Sequence, residues 1–273
     1  TYAHYKFGQT VLEKLNNKQL ADKINQNKEL FFIGLHGPDI LFYYEPLRKN
    51  EVNSLGYEMH IKPAKDFFQR SKTIVKSKDQ NGEYLSYIVG FICHFILDGE
   101  CHGYINGLSS IGRISHTKIE VEFDRMLLGS EGKNPLKAKL TEHIKIDQKN
   151  SEIIAQFFDL VSAKEIMKTI KSMITYNNLL VAPGKIKRSL IYAILKITKS
   201  DEELKDHLIS YVKSEECAES NQVLMDKFNG AVGIAVNCIE GYDKYLSSDE
   251  AILFTFPYFS ASCAAFFAHC PVM

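Results

Sequence analysis

Residues 82–102 read GEYLSYIVGFICHFILDGECH, and the reading of this stretch decides the fold. From 82 to 99 it is apolar on nearly every side, the pattern of a helix in the middle of a protein. His94 and Asp98 stand four residues apart and share one face of that helix, one turn from each other. An ionised carboxylate in such a setting costs on the order of several kcal/mol unless it is paired or binds a metal. Two answers stay open here: a hydrogen-bonded pair, or two ligands of one ion. Gly99 and Gly103 flank His102, which predicts that the helix ends near Asp98 and that His102 faces elsewhere after a turn.

Outward from this stretch the pattern is helical almost throughout. Val11, Leu12, Leu15, Leu20 and Ile24 recur at amphipathic spacing. Segments 64–76 and 116–128 repeat that style, with Ser115 placed to cap the second. Further helices are expected over 151–181, 185–199, 201–216 and 218–246. Segment 185–199 carries Lys185, Lys187, Arg188, Lys196 and Lys199 and reads as a solvated basic face. Gly37-Pro38-Asp39 marks a turn between two apolar runs, and Lys133-Asn134-Pro135 marks another. There is no hairpin signal, repeat or long linker. The expectation is a single all-α domain over 1–273, a multi-helix bundle.

Histidines are concentrated in the first half. His4, His36, His60, His94, His102 and His116 precede residue 120; His143, His207 and His269 stand in ordinary contexts. His116 and Glu120 form a second pair four residues apart. Glu122 and Asp124 point elsewhere on that helix. Asp39 follows a Gly-Pro turn and reads either as a helix cap or as a held carboxylate. His36 reads as structural or supporting, and Cys101 as a bystander, since thiolate suits closed structural zinc sites. An Asp, a His, HxxxDxxxH and HxxxE in succession supply imidazole and carboxylate, the donors catalytic zinc prefers.

Composition excludes some functions. The 273 residues carry 33 Lys and Arg against 33 Asp and Glu. No basic footprint for a stable nucleic-acid complex follows, although cleavage of phosphodiesters is untouched by that argument. Six cysteines include no CxxC pair, so no zinc ribbon or thioredoxin motif is present. The residues from Thr1 show no signal-peptide pattern. The expectation is therefore a cytoplasmic protein, or a secreted one whose leader has been removed. The uncharged stretch 251–273 is broken by Pro257, His269 and Pro271 and is expected to be a core segment rather than a membrane span. Tyr43, Tyr44, Phe67 and Phe68 read as core before they read as a lipid cleft.

On "GPDILFYY", "MH" at 59–60, "HFILDGECH" and "SHTKIE", the chain resembles the zinc-dependent phospholipase C family, which shares an all-α fold with S1/P1-type nucleases. The resemblance covers about residues 4–120. It implies two or three zinc ions. Asp39, His60, His94 and Asp98 would hold the first, and His102, His116 and Glu120 the second. Asp98 would bridge to a third ion that His4 also holds. Secreted members complete that third site with an N-terminal tryptophan, where this chain has Thr1. The resemblance further implies zinc-bound hydroxide attacking a phospholipid or similar phosphodiester in line, with Asp39 and Asp98 as catalytic residues, Asp39 doubling as general base. Transient contact with a membrane surface would follow. The alternatives are a single-strand nuclease or nucleotidase of the same fold, and a catalytically silent protein that metals stabilise.

Overall fold

The computed structural model describes residues 2–112, 114–198 and 205–248. Every regular element among them is helical, as the all-α expectation requires. The helices are α1 (Tyr2–Lys14), α2 (Lys18–Gln26), α3 (Lys28–Gly34), α4 (Glu51–Ile61), α5 (Ala64–Lys78), α6 (Glu83–Ser110), α7 (His116–Ser130), α8 (Gln148–Ala155), α9 (Ala163–Leu180), α10 (Lys185–Thr198) and α11 (Ala218–Ser247). A 3₁₀ turn over Gly37–Tyr43 joins α3 to α4.

Helix α6 is the axis. It packs against α1, α2, α3, α5, α7, α8 and α11 and against the 3₁₀ turn. Every residue from Leu85 to Asp98 is buried. The expected end near Asp98 is wrong: α6 runs on for three more turns to Ser110. Gly103 and Gly107 face open space. Each costs about 0.5–1 kcal/mol relative to alanine in a helix, and the buried Cys101, His102 and Ile105 on the inner side supply the compensating packing. His94, Asp98 and His102 therefore form one straight row.

Other boundaries moved for local reasons. The run from Val11 to Ile24 splits where Asn17 caps α2, accepting the Leu20 N–H at 3.2 Å. The expected 151–181 helix is two, because Leu160 takes a left-handed φ of 64° and Ser162 with Glu165 forms a capping box that starts α9. The expected 201–216 helix does not form over 207–214; only a short 3₁₀ turn, Glu215–Cys217, follows. Arg188 is not on a solvated face. It is 6% exposed and donates to the carbonyls of Ala182 and Ile209. Helix α4, not anticipated, begins at an Asn50–Asn53 capping box.

Among the described residues no helix is long and apolar enough to cross a membrane, and 251–273 lies outside them. Most of the buried apolar side chains form one continuous core. A small separate cluster (Ala182, Ile191, Leu195 and Leu208) lies beneath α10.

α3 crosses α6 at backbone contact. A Cβ on Gly34 would lie 2.2 Å from the Tyr87 carbonyl, and one on Gly90 would lie 2.2 Å from the Phe31 carbonyl. No flexible side chain there can yield. Gly90→Ala is expected to cost about 1–3 kcal/mol by overpacking, seen as a lower urea midpoint at unchanged slope. Wild-type stability in that variant would mean the crossing is not sterically set.

Candidate metal centre

Five elements deliver the predicted residues to one place: α6 with His94, Asp98 and His102, and around it α1, the 3₁₀ turn, α4 and α7. Asp124 on α7 accepts the backbone N–H groups of Tyr2 and Ala3 at 3.0 and 2.7 Å. That caps the start of α1 with a carboxylate, as the helix dipole favours, and it fixes His4 two residues on. The 3₁₀ turn carries Asp39. Its Gly37 has φ of 50°, and a Cβ there would fall 2.2 Å from the His94 ring, so only glycine lets the turn approach α6. His60 closes α4, donating its Nδ1–H to the Gly56 carbonyl at 2.8 Å. His116 opens α7 behind Ser115, which accepts the Lys118 N–H as expected of its cap.

The ligand-type atoms fall into three groups: His4, His94 and Asp98; Asp39, His60 and His94; and His102, His116 and Glu120. His94 belongs to two of them. Asp98 touches the most imidazoles, with Oδ1 2.8 Å from His4 Nε2 and 3.4 Å from His102 Nε2, and Oδ2 3.1 Å from His94 Nε2. Asp39 Oδ1 lies 3.0 Å from His60 Nε2 and 3.9 Å from His94 Nε2. Glu120 Oε1 lies 3.1 Å from His116 Nε2 and 3.4 Å from His102 Nε2. Asp98 groups with His4 rather than with Asp39 and His60. The expected Thr1 contribution lies outside the described residues.

The donor set fits a zinc-type ion. A carbonyl only accepts, so His60 must carry its proton on Nδ1. Its Nε2 then faces Asp39 Oδ1 at 3.0 Å, a separation at which the two atoms can share a proton or jointly ligate a cation. All donors are imidazole nitrogen or carboxylate oxygen. Cys101 is in no group, and burial pushes its thiol up to about 12, so no thiolate is on offer. The five histidines keep only 3% to 14% of their side-chain surface, whereas Asp39 keeps 37% and Glu120 41%. The two outer carboxylates are the part of the set that solvent reaches.

Electrostatics follow from this packing. Burial alone would raise the Asp98 carboxyl, but the charges of His102, His94 and His4 hold it well below the usual range. Glu120 is likewise held well below, burial being outweighed by His116 and His102. His94 is raised: burial opposes its charge, and Asp98 and Asp39 overcome that. Burial wins at His4, which is lowered.

The sequence reading missed several neighbours. His143 is no ordinary surface residue. It stacks on Tyr5 at 4.0 Å between centroids, and its Nε2 lies 3.2 Å from that of buried His36. Neither belongs to a group of ligand-type atoms among the described residues. Asn106 Oδ1 lies 3.1 Å from His116 Nδ1. His207, also thought unremarkable, lies close enough to Glu120 to feel its charge. His269 lies outside the described residues. Phe68 is core and Phe67 stacks on Phe91. Tyr43 sits by the mouth, where burial and the carboxylates of Asp39 and Glu120 raise its hydroxyl.

A family model for zinc-dependent phospholipase C matches residues 3–174. The chain belongs to the zinc-dependent phospholipase C family. No curated protein and no solved structure matched it. The matched span carries every one of the grouped ligand-type residues, so what marks the family and what converges in space coincide.

The raised His94 sets a pH dependence for zinc loading. Below its raised pKa the metal-free protein holds a proton on His94 that zinc must displace; lowered His4 is already neutral. Calorimetry in buffers of differing ionisation heat is expected to show proton release that grows, and apparent affinity that weakens, as the pH falls through the raised His94 pKa. Proton release that stays the same across the whole range from neutral to alkaline pH would contradict the assignment of His94 as a ligand.

Proposed function

We propose that this protein is a phospholipase C-type phosphodiesterase acting at a centre of two or three zinc ions held by His4, Asp39, His60, His94, Asp98, His102, His116 and Glu120. The observation carrying this reading is the convergence of three histidine–carboxylate groups linked through His94 and Asp98. When bound, zinc polarises a phosphoryl oxygen and makes water acidic enough to ionise near neutral pH.

The chain's own residues divide the rest of the work. Asp98 lies within 3.4 Å of an imidazole nitrogen of each of His4, His94 and His102 and holds the three rings in one frame. Asp39 is kept ionised, its carboxyl lowered by His94 and by the His60 hydrogen bond against the pull of burial. Its open side can then take a proton from an attacking water, the role of a general base. Gly56 and Asn106 hold the outer nitrogens of His60 and His116, so those rings present Nε2 inward. A phosphodiester drawn to the mouth meets Tyr43, whose raised hydroxyl stays a donor at neutral pH.

A phospholipid is favoured over a nucleic acid by the balanced charge of 33 basic and 33 acidic residues, since phosphate-rich polymers are held by basic surfaces. Asp98→Asn is expected to lose bound zinc and hydrolysis of a choline phospholipid together, activity falling by at least about two orders of magnitude. Metal analysis and turnover on the same sample check this. Undiminished zinc with full activity would sink the role given to Asp98. Cleavage of single-stranded DNA in preference to phospholipid would move the reading to a nuclease, and zinc without turnover on either would make the metals structural.

A further inference from the structure

Helix α10 lies beyond the span that marks the family, and it is built unlike the other helices. One side is buried: Arg188, Ile191 and Leu195 rest on Ala182 and Leu208. The opposite side is also apolar, yet it faces solvent. Ile186 is 89% exposed, Leu190 62% and Ile194 52%. These positions are one turn apart and form a row. Single exposed apolar residues need no explanation, but a row of three on one helix does. Lys187 stands at one edge of the row, and Lys185 and Lys196 stand about a quarter-turn round the helix from its other side, all exposed. Lys187 is steadied there by the carbonyls of Asn178 and Val181 at 3.2 and 2.7 Å.

The segments on either side of the helix reach residues at the metal centre. Asn177, at the end of α9, donates to the Tyr43 hydroxyl at 3.3 Å. Beyond α10, Asp206 accepts from Ser115, the residue before His116. Both flanks of α10 are thus tied to residues at the site.

We infer that α10 is an interfacial docking helix that lays Ile186, Leu190 and Ile194 into the headgroup boundary of an anionic phospholipid surface. An apolar row with lysine edges is the form such helices take, the apolar side chains entering the boundary and the ammonium groups meeting lipid phosphates. A second copy is a poorer occupant. A two-fold contact through this row would set lysine edges against lysine edges, and three side chains cover far less than the roughly 800 Å² per partner of a stable dimer. The choice of a lipid surface rests on the phospholipase reading, whereas the exposed row does not.

The test separates docking from chemistry. Flotation with vesicles of phosphatidylcholine and phosphatidylglycerol, and with phosphatidylcholine alone, measures docking. Hydrolysis of a water-soluble monomeric phosphodiester measures the site. The protein is expected to bind the anionic vesicles, less so the neutral ones, and less still at high salt. Ile186→Ser/Leu190→Ser/Ile194→Ser is expected to weaken that binding at least about tenfold with soluble turnover unchanged. Lys185→Glu/Lys196→Glu, whose side chains are exposed, is expected to remove the preference for anionic vesicles. Vesicle binding that survives the triple serine change, or its absence in the unaltered protein with soluble turnover intact, overturns the inference. So does concentration-dependent self-association, seen by sedimentation velocity, that the triple change abolishes without vesicle binding. Vesicle binding without any turnover would leave docking standing and the catalytic reading fallen.

Discussion

A single carboxylate inside a buried helix sets the terms for the rest of the molecule. Asp98 lies among Ile92, Phe95, Ile96 and Leu97, where an uncompensated charge would be severely unfavourable. Its compensation cannot come from α6 alone. His94 and His102 lie one turn to either side, but the shortest contact, 2.8 Å, comes from His4 on α1. The first helix must therefore dock against the middle of the central one. That docking in turn requires Asp124 at the start of α1 and the Phe7–Phe228 edge contact against α11.

Close approach is the second condition. Imidazole and carboxylate side chains are short, so their backbones must come near. The glycines do this where it matters. Gly34 and Gly90 let α3 lie on α6, and α3 leads straight into the turn bearing Asp39. Gly37 clears the His94 ring. By contrast Gly103 and Gly107 meet nothing. Two kinds of glycine thus occupy one fold, one demanded by contact and one merely tolerated by a helix held from its other side.

That difference explains what the sequence could and could not disclose. The buried axis was legible because fourteen residues without polar periodicity admit few other readings, and the i, i+4 pairs were legible because helical geometry is local. Gly99 and Gly103 misled because glycine's local preference is worth under about 1 kcal/mol, less than the burial of Cys101, His102 and Ile105 that opposes it. Asp124 as the cap of α1, and His143 beside His36, were illegible for another reason. Each acts across more than a hundred residues of chain, and no spacing rule reaches that far. The Ser162–Glu165 capping box was there to be read and was passed over because apolar residues continue on both sides of it.

The metal centre and α10 also illustrate how one chain separates two demands. In the proposed function, hydrolysis of a phosphodiester needs rigid, dry imidazoles, and the structure buries them around α6. Meeting a lipid aggregate needs apolar side chains left in water, which would endanger a core if they were part of it. Helix α10 resolves the conflict by having its own small cluster of Ala182, Ile191, Leu195 and Leu208, with Arg188 locked to backbone carbonyls beneath it. Its outer row can then change without disturbing Asp98. The segments that flank it are still tied to the site through Asn177 and Asp206. On the proposed reading, affinity for a surface and chemistry at the metal can vary independently because these two clusters share no side chain.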